Sequence, residues 1–469
     1  MKHYISIFMM IFSVVVSFAT TSETKLITYS APNTEKVRCS YSVFVNGQKL
    51  DIYKALSPKF YGGEYYFCYF DFEGEVDVLV KSTKPFTHEE NKKIYRGEVL
   101  PQSIKLTSKT AHEMRFKQNK PFKAMILRDG RKLPLFIFGN PLEKNIPSKN
   151  DPNVIYLEAG VHILDKLVLK DNQTLYLEGG AVLKTVISAK KAKNITIRGR
   201  GIVSSENYEK YQARNISFVE CKNIRISDVI FKDSMSWHLE FFSCEDIIVD
   251  NLKICGSRTL EDDGIDVCSS KNVIIKNTFI RVQDDCVPIK GFGDKNPVEN
   301  VLVENCILWT DSACVFRVGY ECGAPYFKNI RCKNIYVPFY SPYRKPTDYW
   351  SHAIVRLHPV NEMPIENFSV NGLYIRSNGG DMPLLIAQPR ETYFVKKCGS
   401  VKNCFIKNVV VDGVKGNFRG EVFIEGTDEQ HKVSGIKVEN VKYFGKKLTP
   451  DYPHIHIGKF TENINVFKK

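Results

Sequence analysis

A short pattern that recurs from the middle of the chain to its end constrains the fold more than any other feature. Each copy starts with Asn or Asp, continues with alternating apolar residues, and usually repeats the turn residue before a second apolar run, as in NVIIKNTFI. The copies begin at Asn194, Asn223, Asp246, Asn272, Asn300, Asn329, Asn367 and Asn403. Successive copies start 23 to 38 residues apart. A period in this range, carried by short β-branched runs, is typical of a solenoid.

The repeat predicts a parallel β-helix. Alternation with period two turns one face of each strand inward, and Asn or Asp between strands suits a tight turn with left-handed backbone geometry. Stacked coils then place equivalent residues about 4.8 Å apart. Leucine-rich repeats are the main alternative, but they require a fixed Leu framework and a shorter period, which this chain does not have.

The residue composition and patterning along the chain indicate four segments. Residues 1–19 have a basic tip, an apolar run and small residues at the end, which predicts a secretory signal peptide and hence a secreted or periplasmic protein. Residues 20–148 read as short strands broken by turns, which predicts a small antiparallel β-sandwich. Residues 149–445 are expected to form the β-helix, and residues 446–469 a C-terminal cap. No later stretch is apolar enough for a membrane span.

Charge and cysteine usage limit the partners. The formal net charge of +14 favours an anionic partner such as an acidic polysaccharide, although a solvated basic surface without a partner explains it equally well. Nucleic acid is not expected, because no dense basic run is combined with stacking aromatic residues. The 13 cysteines include no CxxC pair, so no zinc site and no metal cofactor are predicted.

Acidic residues gather in two adjoining coils. The stretch LEDDGIDVC contains Asp263, and VQDDCV contains Asp284 and Asp285, 21 residues after Asp263. That spacing is close to one coil, so the two segments should stack. Adjacent carboxylates are unusual within a strand, because one of the two would point into the core. Structural turns and Ca²⁺ chelation are the alternatives to a catalytic cluster, in which like charges would raise one another's pKa.

These motifs resemble the polygalacturonase family, glycoside hydrolase family 28. The similarity rests on SMSWHLEFFSCEDIIVDNLKI from Ser234, DDGIDV from Asp262 and QDDCVPIK from Gln283, and on their spacing. The resemblance implies a right-handed parallel β-helix that hydrolyses glycosidic bonds with inversion. It implies that Asp284 is the general acid and that Asp263 and Asp285 activate water. A gap of about 6.5 to 9.5 Å between carboxyl groups is expected for such a site.

The same resemblance implies residues that contact substrate. The Lys of the DDCxxxK motif is Lys290. The family's RIK motif corresponds to IVRLH, where Arg356 matches the Arg and His358 replaces the Lys. Arg317, one coil earlier, is expected in the same column, either binding substrate or pairing with a carboxylate of the site. Arg356 and His358 share a strand face and are expected to reach the groove, although His358 is equally explained as an ordinary surface histidine.

One departure weakens the assignment of a substrate class. The family's GHG motif corresponds to TDSACVFRVG from Thr310, which has no His. In lacking this His and in having a sandwich before the β-helix, the chain resembles the dextranase family, glycoside hydrolase family 49, which acts on neutral glucans.

The sequence therefore predicts an exported glycoside hydrolase of a pectin-like or other uronate-containing polysaccharide. A dextranase-like hydrolase, a Ca²⁺-dependent polysaccharide lyase and a non-catalytic glycan-binding β-helix remain alternatives.

Overall fold

The computed structural model describes residues 24–59, 62–90, 92–292, 296–340, 351–377, 382–392, 396–413 and 420–468. The predicted signal peptide, residues 1–19, lies outside these ranges. The regular elements within them are β-strands. No helix in the described part of the chain has the length and apolar character needed to cross a membrane.

Thirteen strands form the N-terminal region in the described residues. They are β1 Lys25–Thr28, β2 Tyr41–Val45, β3 Gln48–Lys49, β4 Tyr53–Leu56, β5 Glu64–Glu73, β6 Val76–Ser82, β7 Thr87–Glu90, β8 Lys93–Arg96, β9 Glu98–Leu100, β10 Leu106–Lys109, β11 Glu113–Gln118, β12 Phe122–Leu127 and β13 Leu135–Pro141. One sheet has the order β1-β5-β13-β12-β9 with β4 on β5, a second has the order β10-β11-β6-β2-β3, and β7 pairs with β8. Apolar side chains such as Val43, Val78 and Phe116 fill the space between the two larger sheets.

The remaining strands stack into one long sheet that winds around a core. They are β14 Val154–Leu157, β15 Gly160–Val168, β16 Thr174–Leu177, β17 Ala181–Lys190, β18 Lys193–Gly199, β19 Ile202–Ser204, β20 Ile216–Val219, β21 Lys222–Ser227, β22 Ile230–Ser234, β23 Leu239–Phe242, β24 Glu245–Asp250, β25 Lys253–Ser257, β26 Ile265–Cys268, β27 Lys271–Lys276, β28 Phe279–Val282, β29 Val287–Gly291, β30 Val298–Glu304, β31 Ile307–Thr310, β32 Phe316–Cys322, β33 Phe327–Val337, β34 Val355–His358, β35 Ile365–Ser377, β36 Leu385–Ala387, β37 Val401–Lys402, β38 Phe405–Gly413, β39 Val422–Ile424, β40 Val433–Ser434, β41 Lys437–Tyr443, β42 Lys446–Lys447, β43 Ile455–Ile457, β44 Thr461–Glu462 and β45 Asn465–Val466.

Each coil contributes one strand to each of three faces. In one coil, β24 lies on face A, β25 on face B and β26 on face C, and each pairs in parallel with the strand one coil later. Ile247 pairs with Val273, which pairs with Val301, so that a column of apolar side chains runs along the core. The predicted right-handed parallel β-helix preceded by a sandwich is confirmed.

Asn and Asp residues at the start of face A form a ladder along the solenoid. Asn272 has a φ of 57° and Asp246 a φ of 59°, in the left-handed region that Asn and Asp tolerate better than most residues. The Asn272 amide donates to Asp246 Oδ1 at 3.0 Å, and the Asn300 amide donates to Asn272 Oδ1 at 3.1 Å. The predicted turn geometry is confirmed, and each rung also links two coils.

The N-terminal region packs against face B. Tyr65, Phe136 and Phe138 contact a row of outward side chains of face B that includes Phe279 and Trp309. A buried ion pair between Arg200 and Asp71, with two Nε–Oδ distances of 2.7 Å, joins the two parts as well.

Two details go beyond the sequence prediction. β13 pairs with β5 in parallel, whereas the sandwich was expected to be antiparallel throughout. In the segment predicted as a cap, β43, β44 and β45 continue the parallel pairing of the preceding coils. Short strands of two or three residues carry too little alternation to be recognised in a sequence.

Candidate active site

The predicted carboxylates lie in turns between face B and face C of successive coils. Asp263 belongs to the turn before β26, and Asp284 and Asp285 belong to the turn between β28 and β29. The two adjacent aspartates are therefore not in a strand, so neither has to point into the core.

Asp262 shapes the turn that carries the pair. Its Oδ1 accepts hydrogen bonds from the main-chain N–H groups of Gln283 and Asp284, both at 2.9 Å. The Gln283 amide donates to the Thr259 carbonyl at 2.7 Å. Asp262 thus has a structural role, because its hydrogen bonds fix the backbone position of Asp284.

Asp263 and Asp285 have matching environments. Asp263 accepts from the Asp285 N–H at 3.0 Å and from Lys290 Nζ at 2.7 Å. Asp285 accepts from the Cys314 N–H at 2.7 Å and from Arg317 Nε at 2.5 Å. Each carboxylate is buried and accepts hydrogen bonds from one peptide N–H and one buried cation. Burial raises the pKa of Asp263, and the charge of Lys290 opposes this rise.

Asp284 is different. It is partly buried and accepts the Asp285 N–H at 3.0 Å, and no cationic side chain of the described residues forms an ion pair with it. Burial, followed by the charges of Asp263, Asp285 and Asp262, raises its pKa well above the ordinary value. Asp284 is the carboxyl group of the cluster best suited to carry a proton.

Lys290 contacts carboxylates on three sides. Its Nζ lies 2.7 Å from Asp263, 2.9 Å from Asp266 and 3.0 Å from Glu321. Burial would lower the pKa of Lys290, but these three acids raise it well above its usual range. The charge of Lys290 thus pairs with protein carboxylates, and its predicted contact with substrate stays a prediction.

Trp237 supports Lys290 from another side. Lys290 Nζ lies 3.4 Å and the Arg214 guanidinium carbon 3.6 Å from the centroid of the Trp237 ring. Two cations this close to one centroid would overlap on a single face, so they lie on opposite faces of the ring. Both faces of the Trp237 ring are therefore covered by cations, and the contact with one face helps to position Lys290.

The cluster opens into a cavity of about 480 Å³. Its lining residues are Trp237, Leu260, Glu261, Asp263, Asp284, Asp285, Lys290, Ser312, Ala313, Arg317, Tyr320, Glu321 and His352. Glu321 and His352 were not predicted as site residues. Neither lies in a recognisable motif, and each reaches the cavity only through the stacking of coils.

The position of the missing histidine is filled differently. Ser312 and Ala313 line the cavity in this segment, whereas Asp311 is fully buried and contacts the N-terminal region. His352, one coil later, is the histidine that lines the cavity among the described residues.

Arg317 and Arg356 form the predicted column, because they pair in register on β32 and β34. Arg356 is fully buried and donates from one terminal nitrogen to the carbonyls of Leu357 and Ile386. Its Nε and other terminal nitrogen have no hydrogen-bond partner among the described residues. Burial, and then Arg317, lower the pKa of Arg356 to about 9.

His358 does not line the cavity. Its Nε2 lies 2.9 Å from the Arg390 carbonyl, and its ring is 5.4 Å from that of Tyr320. Burial lowers the pKa of His358 well below the ordinary value, with Arg356 and Arg317 adding to the effect. The structure thus brings five predicted residues together at the cavity: Asp263, Asp284, Asp285, Lys290 and Arg317. Arg356 and His358 do not line the cavity.

The three aspartates offer oxygens within 4.8 Å of one another, a spacing that a metal ion could use. The surrounding donors do not fit this role. Both oxygens of Asp263 and both of Asp285 already accept hydrogen bonds, and Lys290 and Arg317 would repel a cation. This 4.8 Å refers to one oxygen from each residue, and the gap of about 6.5 to 9.5 Å expected between carboxyl groups stays a prediction.

Comparisons with known proteins agree with the motifs. Residues 155–310 match the model of the glycosyl hydrolases family 28. The polygalacturonase of Persea americana is 27% identical over 146 residues, which cover 26% of this chain and 32% of that protein. Polygalacturonase-2 of Solanum lycopersicum is 31% identical over 255 residues, covering 50% of this chain and 49% of that protein. The chain thus spans half or less of the length of these two relatives.

A solved structure resembles the whole chain. Dex49A from Penicillium minioluteum superposes with a TM-score of 0.64 and 14% identity, covering 94% of this chain and 96% of that one. This likeness concerns the fold. The predicted resemblance to family 28, with features of family 49, is confirmed.

Proposed function

We propose, from the similarity to glycosyl hydrolases family 28, that this protein hydrolyses glycosidic bonds in a pectin-like, uronate-containing polysaccharide. The observation that carries the proposal is the unequal treatment of three clustered carboxylates. Asp263 and Asp285 are each held by a cation and an N–H, and Asp284 has neither salt bridge nor second donor in the described residues. Glycoside hydrolysis requires one carboxyl group that donates a proton and a second that acts as base or nucleophile, and this cluster offers candidates for both roles.

The acid step uses Asp284. Its raised pKa keeps a proton on the carboxyl group at a pH where an exposed aspartate has lost it. Asp284 donates that proton to the glycosidic oxygen as the bond to the anomeric carbon breaks. The leaving sugar departs with a new hydroxyl group, and Asp284 becomes a carboxylate.

Asp263 and Asp285 act on the attacking water. Each pairs with a buried cation, Lys290 or Arg317, and the two carboxylates accept the hydrogens of a water and orient its oxygen toward the anomeric carbon. The water proton passes to one of the two carboxylates as the new C–O bond forms. Both are immobilised by two donors each, which favours activation of water over direct attack and hence an inverted product.

The substrate class follows from the arginines. Arg356 is buried with two nitrogens unpartnered among the described residues, beside Arg317 and within the electrostatic reach of Arg390. Arg356 does not line the cavity, so it acts on a bound sugar through its positive charge, which attracts a carboxylate in the groove. This cluster favours a uronate over the neutral glucan of the dextranase-like alternative, and the overall charge of +14 agrees.

A Ca²⁺-dependent lyase and a non-catalytic glycan-binding protein receive less support. Lys290 and Arg317 already pair with Asp263 and Asp285, which disfavours a bound Ca²⁺. A protein that only binds a glycan has no use for a carboxyl group with a raised pKa such as Asp284. We also propose export, which rests on the predicted signal peptide of residues 1–19.

The substrate is tested by release of reducing ends from polygalacturonate, rhamnogalacturonan and dextran, with a chelator present. We expect release from a uronate polymer and none from dextran. Arg356→Gln should raise KM for the uronate polymer and leave the cluster of aspartates intact. Release from dextran alone would overturn the assigned substrate class, and ultraviolet-absorbing unsaturated products would indicate a lyase.

The stereochemistry is tested by NMR of the first product before it mutarotates. We expect the anomeric configuration opposite to that of the bond cleaved. A retained configuration would identify Asp263 or Asp285 as a nucleophile, in keeping with the general rule that close carboxyl groups, about 5 to 5.5 Å apart, give retention.

A further inference from the structure

A second charged cluster lies beneath the turn that follows β31. Asp311 is the first residue after this strand, and its side chain is directed toward the N-terminal region. Its Oδ1 accepts from Trp309 Nε1 at 2.9 Å, and its Oδ2 accepts from a terminal nitrogen of Arg281 at 3.0 Å. Asp311, Arg281 and Trp309 are all fully buried.

The N-terminal region completes this cluster. The Arg281 guanidinium carbon lies 3.8 Å from the centroid of the Tyr65 ring, and the Tyr65 hydroxyl donates to Asp311 Oδ2 at 3.5 Å. Arg281 also donates to the main-chain carbonyl of Arg131 at 3.0 Å, and the Arg131 guanidinium is 3.6 Å from Asp311 Oδ1. The ion pair is therefore formed within the β-helix and enclosed by the other domain.

The opposite side of the same turn holds the proposed active site. Asp311 N–H donates to the Val282 carbonyl at 3.1 Å, and Ser312 N–H donates to the Gln283 carbonyl at 2.7 Å. Three residues after Asp311, the Cys314 N–H donates to Asp285 Oδ1 at 2.7 Å. One short turn thus contacts the N-terminal region on one side and a proposed catalytic carboxylate on the other.

We propose that Asp311 and Arg281 are positioning residues through which the N-terminal domain holds the turn of residues 310–314 against the turn that carries Asp284 and Asp285. This inference rests on the proposed function. Removing one partner of a buried ion pair leaves an uncompensated charge, so the contact is either complete or strongly disfavoured. The N-terminal domain thereby sets the geometry of the site without touching substrate.

Docking of the domain does not depend on this cluster alone. Arg200 and Asp71 join the two parts at earlier coils, and the Tyr69 hydroxyl oxygen accepts a hydrogen bond there from the Gly180 N–H at 3.0 Å. Weakening the Asp311 cluster should therefore loosen the turn and leave the domain attached, which separates positioning from folding.

The first test is Asp311→Asn, assayed on the polymer that the wild-type protein cleaves. We expect kcat to fall on the order of 10-fold with KM unchanged, because misplacement of a catalytic group affects the chemical step. Wild-type kcat in Asp311→Asn would overturn the proposal.

A second pair of variants decides the question even if Asp311→Asn does not fold. Tyr65→Phe removes the hydroxyl beside Asp311 and keeps the ring over Arg281. Tyr69→Phe removes a buried hydroxyl from the same strand, β5, far from the cluster. We expect a smaller fall in kcat for Tyr65→Phe and none for Tyr69→Phe. Equal effects of the two would overturn the proposal, because they would show only a general loosening of the interface.

Hydrogen exchange separates this inference from the proposed function. In Tyr65→Phe, amides of residues 282–286 and 310–317 should exchange faster, whereas those of the coils around Gly180 should not. Faster exchange in a protein that cleaves no polymer would uphold the positioning role and reject the hydrolase. Unchanged exchange at both turns in an active enzyme would do the reverse.

Discussion

Asp284 and its two neighbours illustrate how identical side chains acquire different chemistry. Asp263 and Asp285 each accept hydrogen bonds from a buried cation and a peptide N–H, and such charge-assisted contacts stabilise a carboxylate. Asp284 receives one N–H and is surrounded by like charges, so ionising it is costly. This cost is the strain that a functional site stores.

The strain predicts a pH-dependent gain in stability for Asp284→Asn. The raised pKa means that the folded wild-type protein is stabilised when Asp284 is protonated, and that this contribution is lost as the pH rises above the ordinary aspartate value of 3.8. The variant cannot ionise, so its free energy of unfolding should exceed that of the wild type by an amount that grows from pH 4 toward neutrality. Urea unfolding at several pH values measures this difference. A variant that is less stable than the wild type at neutral pH would contradict the assignment.

Lys290 provides a second prediction at this scale. Because its charge is committed to three protein carboxylates, Lys290→Met should reduce kcat on the order of 100-fold and leave KM nearly unchanged. Steady-state kinetics separate the two parameters. A rise in KM at constant kcat would restore Lys290 to the substrate-binding role that the sequence predicts.

The motifs located the aspartates, but they did not reveal what each side chain contacts. The spacing between Asp263 and Asp284 is one coil, which is a local property of the repeat. The contacts of Lys290 with Glu321, and the place of His352 in the cavity, depend on the length of later coils. Arg356 has the predicted register with Arg317, and its complete burial could not be read from alternation.

At the scale of elements, the Asn ladder fixes the register of successive coils. A side chain at a φ near 57° costs about 1 to 2 kcal/mol for most residues, and Asn reduces this cost while it donates to the coil before. The ladder explains why the repeat is visible in the sequence, although the strands between its turns differ in composition.

Two substitutions at one rung separate its contributions. Asn272→Gly loses the side-chain hydrogen bonds and tolerates the positive φ, whereas Asn272→Ala loses both advantages. We expect the free energy of unfolding to fall by about 1 kcal/mol for Gly and about 2 to 3 kcal/mol for Ala. Equal losses in urea unfolding would mean that backbone conformation contributes nothing at this turn.

At the scale of the whole molecule, the N-terminal domain and the β-helix share an apolar interface and a buried ion pair. Aromatic residues of β5 and β13 pack on face B, and the buried Arg200 binds the buried Asp71. The sequence predicted the two regions separately, but their contact depends on outward residues of face B that look like ordinary strand positions. The domain boundaries themselves stay predictions.

This interface predicts cooperative unfolding. The wild-type protein should unfold in a single calorimetric transition. Arg200→Ala leaves Asp71 charged, buried and unpaired, which costs about 3 to 5 kcal/mol, and should split the transition into two. Asp71→Asn combined with Arg200→Met removes both of these charges and should restore part of the loss, because Asp228, 3.0 Å from Arg200, still loses its partner. Two transitions in the wild-type protein would show that the domains are independent.

The most direct test of the account compares Asp284→Asn with Asp246→Asn in an assay of reducing-end release with a chelator present. Both variants replace one Asp by Asn, but Asp246 lies in the ladder, where neighbouring coils already have Asn. The account predicts that Asp246→Asn cleaves as fast as the wild type and that Asp284→Asn loses nearly all activity. Cleavage by Asp284→Asn at the wild-type rate would contradict its assignment as the acid.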